Sequence, residues 1–510
     1  MKLLRNSVIE GIILPFNSPP YLKWNNVTFN RSNFYKEISI IVCAKTPEMS
    51  EDETEILING DKSPVPVTTK DTPAKNSCLR WLALIFMAIL LFAPAYTESN
   101  LISLDEQLSA QPFSLTSREY GLLFTTYQAT ATFFPLIGGF IADYIGVRKS
   151  LLLFTCLFTI GQISFFWGLY TTDYYFLVLG RFFLCSMLGA VVTIYKAIGY
   201  MFKFSEVSFA MAFAMAVSRV AIPAESFITP LIYDNSGLVW APAILGLSLC
   251  FIAILCSFII GIIQWRIKKG RREEASERRN REFAFNETMK FGKLFWGLAM
   301  TLALGFTSLM CFYNQASDFT LRRFGIDYET IKYIIAVIPF MFSVAAPIAG
   351  LSTDSIGKKP IFIALGMFVM MVSHLVLMLL PNYEDSYVGI APYLLMGIGA
   401  GIFGAAIWPS IAIVVDQKLL GTAFGFAYML WQVLQEIILA VGDVVIASTS
   451  HNKFGYFYFE VLMMSLTIAG LITSFYVYVL DRKYYKGVLT SIGSGPQKQT
   501  PDSKKPKKKM

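Results

Sequence analysis

The chain has 510 residues, of which 55% are hydrophobic and only 15% are charged, and its formal net charge is +8. Average soluble domains carry about 25% charged residues. This composition, with a mean hydropathy of +0.53, therefore excludes an ordinary soluble protein and predicts a polytopic membrane protein. The apolar segments are long and continuous rather than alternating, which favours an α-helical bundle over a β-barrel. The surplus of positive charge lies in loops and in the C-terminal tail, so it does not predict nucleic-acid binding.

The first part of the chain, residues 1–78, is polar to mixed in composition and lacks the features of a secretory signal peptide. We interpret it as a disordered cytosolic arm. Within the arm, Glu53, Leu57 and Ile58 have the spacing of an acidic dileucine-type sorting signal. This pattern predicts that sorting adaptors bind the arm and direct the protein to endosomes or lysosomes. The alternative is an acidic stretch without such a role.

Twelve apolar segments follow the arm, and each is long enough to cross a bilayer as a helix of about 20 residues. We call them spans 1 to 12 and predict their limits as 79–96, 118–142, 149–170, 174–201, 206–232, 238–265, 292–316, 328–353, 360–380, 387–415, 419–447 and 454–480. A basic linker, 266–291, separates spans 6 and 7, and a basic tail, 481–510, follows span 12. The sequence therefore predicts an all-α polytopic membrane protein with two pseudo-symmetric six-helix halves, 79–265 and 292–480.

The distribution of Lys and Arg predicts the orientation of the spans. These residues concentrate in the connections after spans 2, 6, 8 and 12, whereas the opposite connections are acidic, beginning with Glu98 after span 1. Basic loops usually remain in the cytosol. We therefore predict that both termini and the central linker are cytosolic and that the acidic connections face the lumen or the exterior.

Two short turns repeat one pattern in the two halves: a first turn at 138–149, after span 2, and a second turn at 349–359, after span 8. In each, a glycine is followed four residues later by an aspartate, then after three more residues by a glycine, and then by basic residues. Glycines permit close helix approach, aspartates can pair with arginines or with helix N-termini across the halves, and the basic residues would hold the turns at the cytosolic surface. We predict a gating latch formed by Gly138, Gly139, Asp143, Gly146, Arg148, Lys149, Asp354, Gly357, Lys358 and Lys359.

Several polar and ionisable side chains lie inside apolar segments, where burial is costly and a role in transport is the first hypothesis. Arg219 is near the middle of span 5, and we predict substrate contact for it, with a structural ion pair as the alternative. Lys196 can instead extend to the membrane surface, and Glu436 can form a hydrogen bond between helices. The predicted substrate-binding residues are Arg219, Glu225, Lys196, Tyr195, Gln128, Glu436, Gln432 and Trp408.

Other residues favour different roles. Arg181 lies near the predicted lumenal end of span 4, so we expect a gating or structural role for it. His374 is surrounded by apolar residues in span 9, which favours a core residue over a proton relay. The sequence contains no nucleotide-binding loop, zinc-ligand set or nucleophile motif. We therefore predict no cofactor, no metal site and no enzyme activity.

Three groups of residues resemble a known family. The first turn resembles the signature loop between spans 2 and 3 of the major facilitator superfamily, and 179–183 (Leu-Gly-Arg-Phe-Phe) resembles its span-4 arginine motif. With Arg219 in span 5, the segments 406–409 and 420–426 resemble more specifically the major facilitator superfamily domain-containing protein 1 group, whose members are lysosomal dipeptide transporters. The resemblance covers about 79–480.

This resemblance implies a substrate cavity between the halves, alternating access by rocking, and facilitated (uniport) or proton-coupled export of dipeptides or amino-acid-like substrates from the lysosome. It also implies that Arg219 engages the substrate carboxylate. The group's span-4 glutamate, which engages the substrate amine, corresponds here to Gly189, so a replacement acid or a different substrate is required. Dependence on a glycosylated lumenal accessory subunit is a further implication.

Two other functions stay open. A carrier of sugars or organic anions would need no acid for an amine, and a non-transporting receptor or scaffold is a different class built on the same fold. The two matched turns favour transport, because a scaffold has no need of two latches. The plasma membrane is the alternative location.

Overall fold

The computed structural model describes residues 21–24, 27–30, 77–111, 113–269, 291–380, 387–449 and 455–491. The proposed sorting signal of Glu53, Leu57 and Ile58 lies outside the described residues.

Two short strands form a hairpin in the N-terminal arm. The strands Tyr21–Trp24 and Val27–Asn30 pair antiparallel, with Tyr21 opposite Asn30. Aromatic and β-branched residues favour strands, and both segments are rich in them. The hairpin departs from the expectation of an arm without secondary structure.

Every predicted span is helical, and most of the helices continue beyond the predicted limits. The helices of spans 1 to 12 are Ser77–Ser103, Ser117–Tyr144, Val147–Thr171, Tyr174–Leu184 with Met187–Met201, Val207–Ser236, Ala241–Lys269, Lys293–Phe324, Tyr328–Ile335 with Val337–Ile356, Lys359–Leu379, Ile390–Val414, Leu420–Thr449 and Gly455–Tyr484. A short helix, Asp105–Ser109, follows span 1, and a 3₁₀ turn, Tyr387–Gly389, precedes span 10.

Among the described residues, eleven helical segments are long and apolar enough to cross a membrane. The remaining span, Ser117–Tyr144, has 28 residues and is long enough, but threonines and Gln128 in its middle lower its hydropathy. These polar residues are compatible with a helix that faces other helices and a cavity instead of lipid.

The contacts between spans repeat in two sets. Span 3 packs against spans 4 and 6, and span 2 packs against span 4; correspondingly, span 9 packs against spans 10 and 12, and span 8 packs against span 10. Between the sets, span 2 packs against span 11 and span 8 packs against span 5. The repeat supports the six-plus-six division that we propose. Spans 2 and 8, which lead into the first and second turns, both lie at the contact between the halves.

The chain after span 12 folds back onto the second turn. The Asp481 carboxylate accepts hydrogen bonds from the Leu489 backbone N–H at 3.0 Å and the Thr490 hydroxyl at 2.8 Å. The backbone N–H groups of Lys358 and Lys359 donate to the carbonyl oxygens of Thr490 and Leu489 at 3.3 and 3.0 Å. The end of span 12 and the start of span 9 are thereby held together.

A fully buried polar group joins spans 7, 9 and 12. The two ring nitrogens of His374 lie 2.9 Å from the Ser308 hydroxyl and 2.8 Å from the Glu460 carboxylate. None of the three side chains reaches solvent. His374 is therefore a core residue with both nitrogens bonded, and burying such groups is tolerable because they are paired.

Candidate functional site

Asp143 ends span 2 against the first turn of span 11. Its carboxylate accepts hydrogen bonds from the backbone N–H groups of Gly421 at 3.0 Å and Thr422 at 2.7 Å, and from the Thr422 hydroxyl at 2.6 Å. Lys196, in span 4, places its ammonium 2.5 Å from the same carboxylate. The first N–H groups of a helix lack partners inside the helix and carry a partial positive charge. Asp143 therefore caps span 11 and joins the two halves.

Asp354 repeats this arrangement in the other half. Its carboxylate accepts hydrogen bonds from the backbone N–H groups of Ser208 at 3.2 Å and Phe209 at 2.8 Å, in the first turn of span 5. Lys359 lies 3.8 Å away. The sequence predicts that Lys359 holds the turn at the membrane surface, but the residue is buried, because it pairs with Asp354 and its turn is covered by the segment after span 12.

Glycines allow the close approach on which both contacts depend. A Cβ atom placed on Gly139 would lie 2.3 Å from the carbonyl oxygen of Gly421, and one placed on Gly350 would lie 2.9 Å from the backbone of span 5. Real Cβ atoms do not approach other heavy atoms so closely, so larger residues would force the halves apart. Gly138 instead contacts span 4, because a Cβ atom placed on Gly138 would lie 2.3 Å from the Cα of Gly189.

The turns themselves require unusual backbone conformations. Gly146 has a φ of +85° and Gly357 a φ of +69°, a region that favours glycine, and Lys358 follows with a φ of +52°. Arg148 and Lys149 are exposed at the start of span 3. These last residues are placed to meet solvent and lipid headgroups rather than the other half.

Arg219 lies where both halves contribute side chains. The residue is partly exposed, and its guanidinium lies 5.5 Å from the centroid of the Phe342 ring in span 8. It is within electrostatic reach of the hydroxyls of Tyr195, Tyr313 and Tyr428, which come from spans 4, 7 and 11. Within the described part of the chain, Arg219 forms no hydrogen bond or ion pair. Its donors are therefore available to a ligand.

We call the contact of Asp143 with span 11 the first latch and the contact of Asp354 with span 5 the second latch. An aromatic cluster connects the surroundings of Arg219 with the first latch. The indole of Trp408, in span 10, is 5.0 Å from the ring of Tyr195 and 6.0 Å from that of Phe424, centroid to centroid. Tyr195 immediately precedes Lys196, and Phe424 lies just after Thr422, so the cluster is continuous with the bonds to Asp143. Trp408 is only 2% exposed. The cluster therefore closes this end of the space around Arg219.

None of the other predicted substrate-binding residues is bonded to Arg219 among the described residues, although Glu225 and Arg219 both lie within electrostatic reach of the Tyr313 hydroxyl. Lys196 is bound to Asp143 in the latch. Glu225 is fully buried and accepts a hydrogen bond from the Ser103 hydroxyl at 2.9 Å. Glu436 of span 11 is half-buried and lies within electrostatic reach of Cys311 in span 7. Among the polar positions without a charge, Gln432 is buried and Gln128 is half-buried.

Arg181 has structural partners. It is 1% exposed, and its guanidinium donates to the backbone carbonyl oxygens of Glu98 at 3.4 Å and Leu123 at 3.5 Å. It also lies 4.6 Å from the centroid of the Tyr127 ring. These contacts join span 4 to spans 1 and 2, so its geometry fits the structural role more closely than a gate.

Glu98 belongs to the site, although the sequence predicts it in a loop. The helix of span 1 continues to Ser103 and carries Glu98 inside the bundle. Its side chain is exposed, yet Tyr127, Arg181 and Arg219 all lie within electrostatic reach of its carboxylate. The Glu98 side chain thus has exposed surface close to residues of spans 2, 4 and 5, as expected of a group that faces a cavity within the bundle. The sequence feature that could have indicated this longer helix is the return of apolar residues, among them Leu101, after the short polar stretch.

A family model described as the Major Facilitator Superfamily matches residues 80–439. The chain belongs to the major facilitator superfamily. It is a multi-pass membrane transporter and not an enzyme.

Two curated relatives of this major facilitator carry the name lysosomal dipeptide transporter MFSD1. The protein from Danio rerio is 22% identical over 440 residues, which cover 84% of this chain and 92% of the relative. The protein from Homo sapiens is 21% identical over 416 residues, which cover 79% and 86%.

Solved major facilitator structures share the fold. The transporter FucP in the outward conformation superposes with a TM-score of 0.60 at 13% identity, covering 78% of this chain and 99% of FucP. The proton:xylose symporter XylE, bound to 6-bromo-6-deoxy-D-glucose, superposes with a TM-score of 0.58 at 13% identity, covering 82% of this chain and 98% of XylE. At this identity the likeness concerns the fold alone.

Proposed function

We propose that this major facilitator exports dipeptides or similar zwitterions from the lysosome by alternating access. The observation that carries the proposal is Arg219, an arginine without a bonded partner among the described residues, in a cavity to which both halves contribute tyrosine hydroxyls. A guanidinium presents planar, paired donors that match a carboxylate. The name of the relatives, lysosomal dipeptide transporter, supports this substrate class.

We further propose that the structure represents the state closed at the cytosolic end. Asp143 and Asp354 each cap a helix of the opposite half, and the aromatic cluster around Trp408 closes the space above the first latch. In this state a substrate would reach Arg219 from the lumenal end. Release to the cytosol would require both capping contacts to break, so that spans 2 and 11, and spans 5 and 8, separate.

Transport by the purified protein in liposomes tests the proposal. We expect saturable uptake of radiolabelled dialanine that is inhibited by unlabelled dipeptides but not by fucose, xylose or a dicarboxylate. Liposomes without protein provide the background. Uptake of a sugar or dicarboxylate without uptake of any dipeptide would contradict the dipeptide proposal and favour the second transporter class. Flux that persists when the pH gradient is collapsed identifies uniport, and flux that falls identifies proton coupling.

The location is a separate proposal, a lysosomal membrane, and it is supported by the names of the relatives. We expect replacement of Leu57 and Ile58 by alanine to move the protein to the plasma membrane, because sorting adaptors would lose their apolar anchor. Surface biotinylation and co-localisation with a lysosomal marker measure the change. A matched pair of substitutions in the arm, Ile13→Ala with Leu14→Ala, is expected to leave the location unchanged. An unaltered lysosomal location of the Leu57/Ile58 variant would refute the proposed signal.

The glycosylated lumenal partner stays a prediction that co-purification would test.

A further inference from the structure

The position at which the resemblance places an amine-binding acid has no room for one in the packing of this chain. That position is Gly189, where spans 2 and 4 touch. A Cβ atom placed on Gly189 would lie 2.7 Å from the ring of Phe154. The Cα of Gly189 also lies so close to Gly138 that Gly138 has no room for a Cβ atom of its own. A glutamate side chain has no room at this contact. An acid that serves the same cavity must therefore come from another helix.

Two of the acids predicted from the sequence do not meet the requirement. The Glu225 carboxylate has no exposed surface and is bonded to Ser103, so a substrate cannot reach it without unpacking span 1 from span 5. Glu436 is half-buried beside Cys311, and no contact connects it with Arg219 among the described residues. Glu98 differs from both, because its side chain has exposed surface and Arg219 lies within electrostatic reach of its carboxylate.

The charge of Glu98 is not used by an internal ion pair. Arg181 donates to the backbone carbonyl oxygen of Glu98 and not to its carboxylate, and it also contacts the carbonyl oxygen of Leu123 and the ring of Tyr127. Within the described residues, the Glu98 carboxylate lies beyond the 4.0 Å ion-pair distance from every cation. A charge inside a membrane protein is costly unless a partner or water satisfies it. Glu98 and Arg219 are thus two opposite charges that face one cavity without touching.

Because they do not touch, a ligand with two opposite charges can bind between them. We propose that Glu98 binds the terminal ammonium of the substrate while Arg219 binds its carboxylate, so that the transporter selects dipeptide-length zwitterions with a free amine. This inference rests on the proposed function. A fully extended dipeptide places its charged ends at most about 7 Å apart. In a single amino acid the ammonium and the carboxylate are attached to the same carbon, so they lie much closer together. The hydroxyl of Tyr127 faces the Glu98 carboxylate and would orient it.

The test compares dialanine with N-acetyl-dialanine, which keeps the carboxylate and lacks the ammonium. In the wild-type protein we expect dialanine to bind and to be transported about tenfold or more better than its acetylated form, since a charge-assisted hydrogen bond is lost on acetylation. In Glu98→Gln we expect the affinity for dialanine to fall by about ten- to 100-fold and the preference for the free amine to disappear. Binding of N-acetyl-dialanine should be retained, which also shows that the variant is folded.

Asp234→Asn is the matched control, because Asp234 is an exposed acid near the same predicted end of span 5. This variant should keep the wild-type preference. A Glu98→Gln protein that still prefers the free amine overturns the inference, and so does one that loses both ligands equally, because that result indicates a role in folding or coupling. Wild-type protein that transports dialanine and N-acetyl-dialanine equally overturns the inference but leaves the proposed function intact. Wild-type protein that transports no dipeptide overturns the proposed function, and the inference fails with it.

Discussion

Replacing Arg219 with alanine is expected to lower dipeptide transport by about 100-fold or more. Arg219 has no bonded partner among the described residues, so its donors can bind a substrate carboxylate without first breaking an internal ion pair. A charge-assisted hydrogen bond is worth about 1.5–3 kcal/mol, and a guanidinium can form two with one carboxylate. Each 1.4 kcal/mol corresponds to about tenfold in affinity. Initial rates of dialanine uptake into liposomes measure the loss.

Two comparisons separate this role from a general effect on folding. Arg219→Lys keeps the charge but loses the planar pair of donors, so we expect an intermediate rate. Arg322→Ala removes an exposed arginine that is paired with Asp318 one helical turn away, and it should transport as the wild type does. Dialanine amide, which lacks the carboxylate, should be a poor substrate of the wild type and lose no further activity in Arg219→Ala. Wild-type rates in Arg219→Ala would contradict the assignment.

The features that were predictable from the sequence are those set by local composition. Long apolar segments identify membrane helices because bilayer thickness sets their length. The two turns are visible because the same frame of glycine, aspartate and basic residues occurs twice. Arg219 was identifiable because a charge in the middle of an apolar segment has few structural explanations.

What could not be predicted depends on contacts between distant spans. The end of span 1 is an example: the polar stretch after Tyr96 lowers the hydropathy, but Asn100 accepts a hydrogen bond from Thr229, and the carbonyl oxygen of Leu101 accepts one from Tyr120. Neighbouring helices satisfy these groups, so the helix continues and carries Glu98 into the cavity. Hydropathy along the chain contains no information about such partners.

The same limit explains the misplaced lysines. Lys196 and Lys359 each carry a charge near a helix end, where an extended side chain can reach water. In the structure each lysine is paired instead with an aspartate of a turn. Lys196 pairs with Asp143, which lies 53 residues earlier in the chain, and Lys359 pairs with Asp354 of its own turn. The aspartates were identified from the repeat, but their helix-capping bonds and lysine partners depend on the packing of six spans, namely 2, 4 and 11 around Asp143 and 5, 8 and 9 around Asp354.

Removing both latch carboxylates, as Asp143→Ala with Asp354→Ala, is expected to shift the protein away from the state closed at the cytosolic end. Truncating one member of a buried, hydrogen-bonded charge pair costs about 2–5 kcal/mol, and about 2.7 kcal/mol changes a two-state ratio 100-fold. We expect only the closed state to contain these bonds, so the whole cost falls on that state. Single-molecule energy transfer between labels at exposed Ile145 and Gln417, after spans 2 and 10, measures the separation.

Asp416 provides the matched control, because it accepts a hydrogen bond from the Lys418 backbone within its own turn, at 3.1 Å, and does not cap the opposite half. Asp416→Ala should therefore leave the closed population unchanged. An unchanged closed population in the double variant would refute the latch.

The two single variants are expected to differ, because the latches are chemically unequal. Asp143 accepts three hydrogen bonds from span 11 and lies 2.5 Å from Lys196, whereas Asp354 accepts two from span 5 and lies 3.8 Å from Lys359. Asp143→Ala also leaves the Lys196 ammonium, which is largely buried, without its negatively charged partner and with only the carbonyl oxygen of Ala142 to accept from it. We therefore expect Asp143→Ala to open the cytosolic end more than Asp354→Ala. The reverse order would mean that the second turn, held by Asp481 and the segment after span 12, is the stronger contact between the halves.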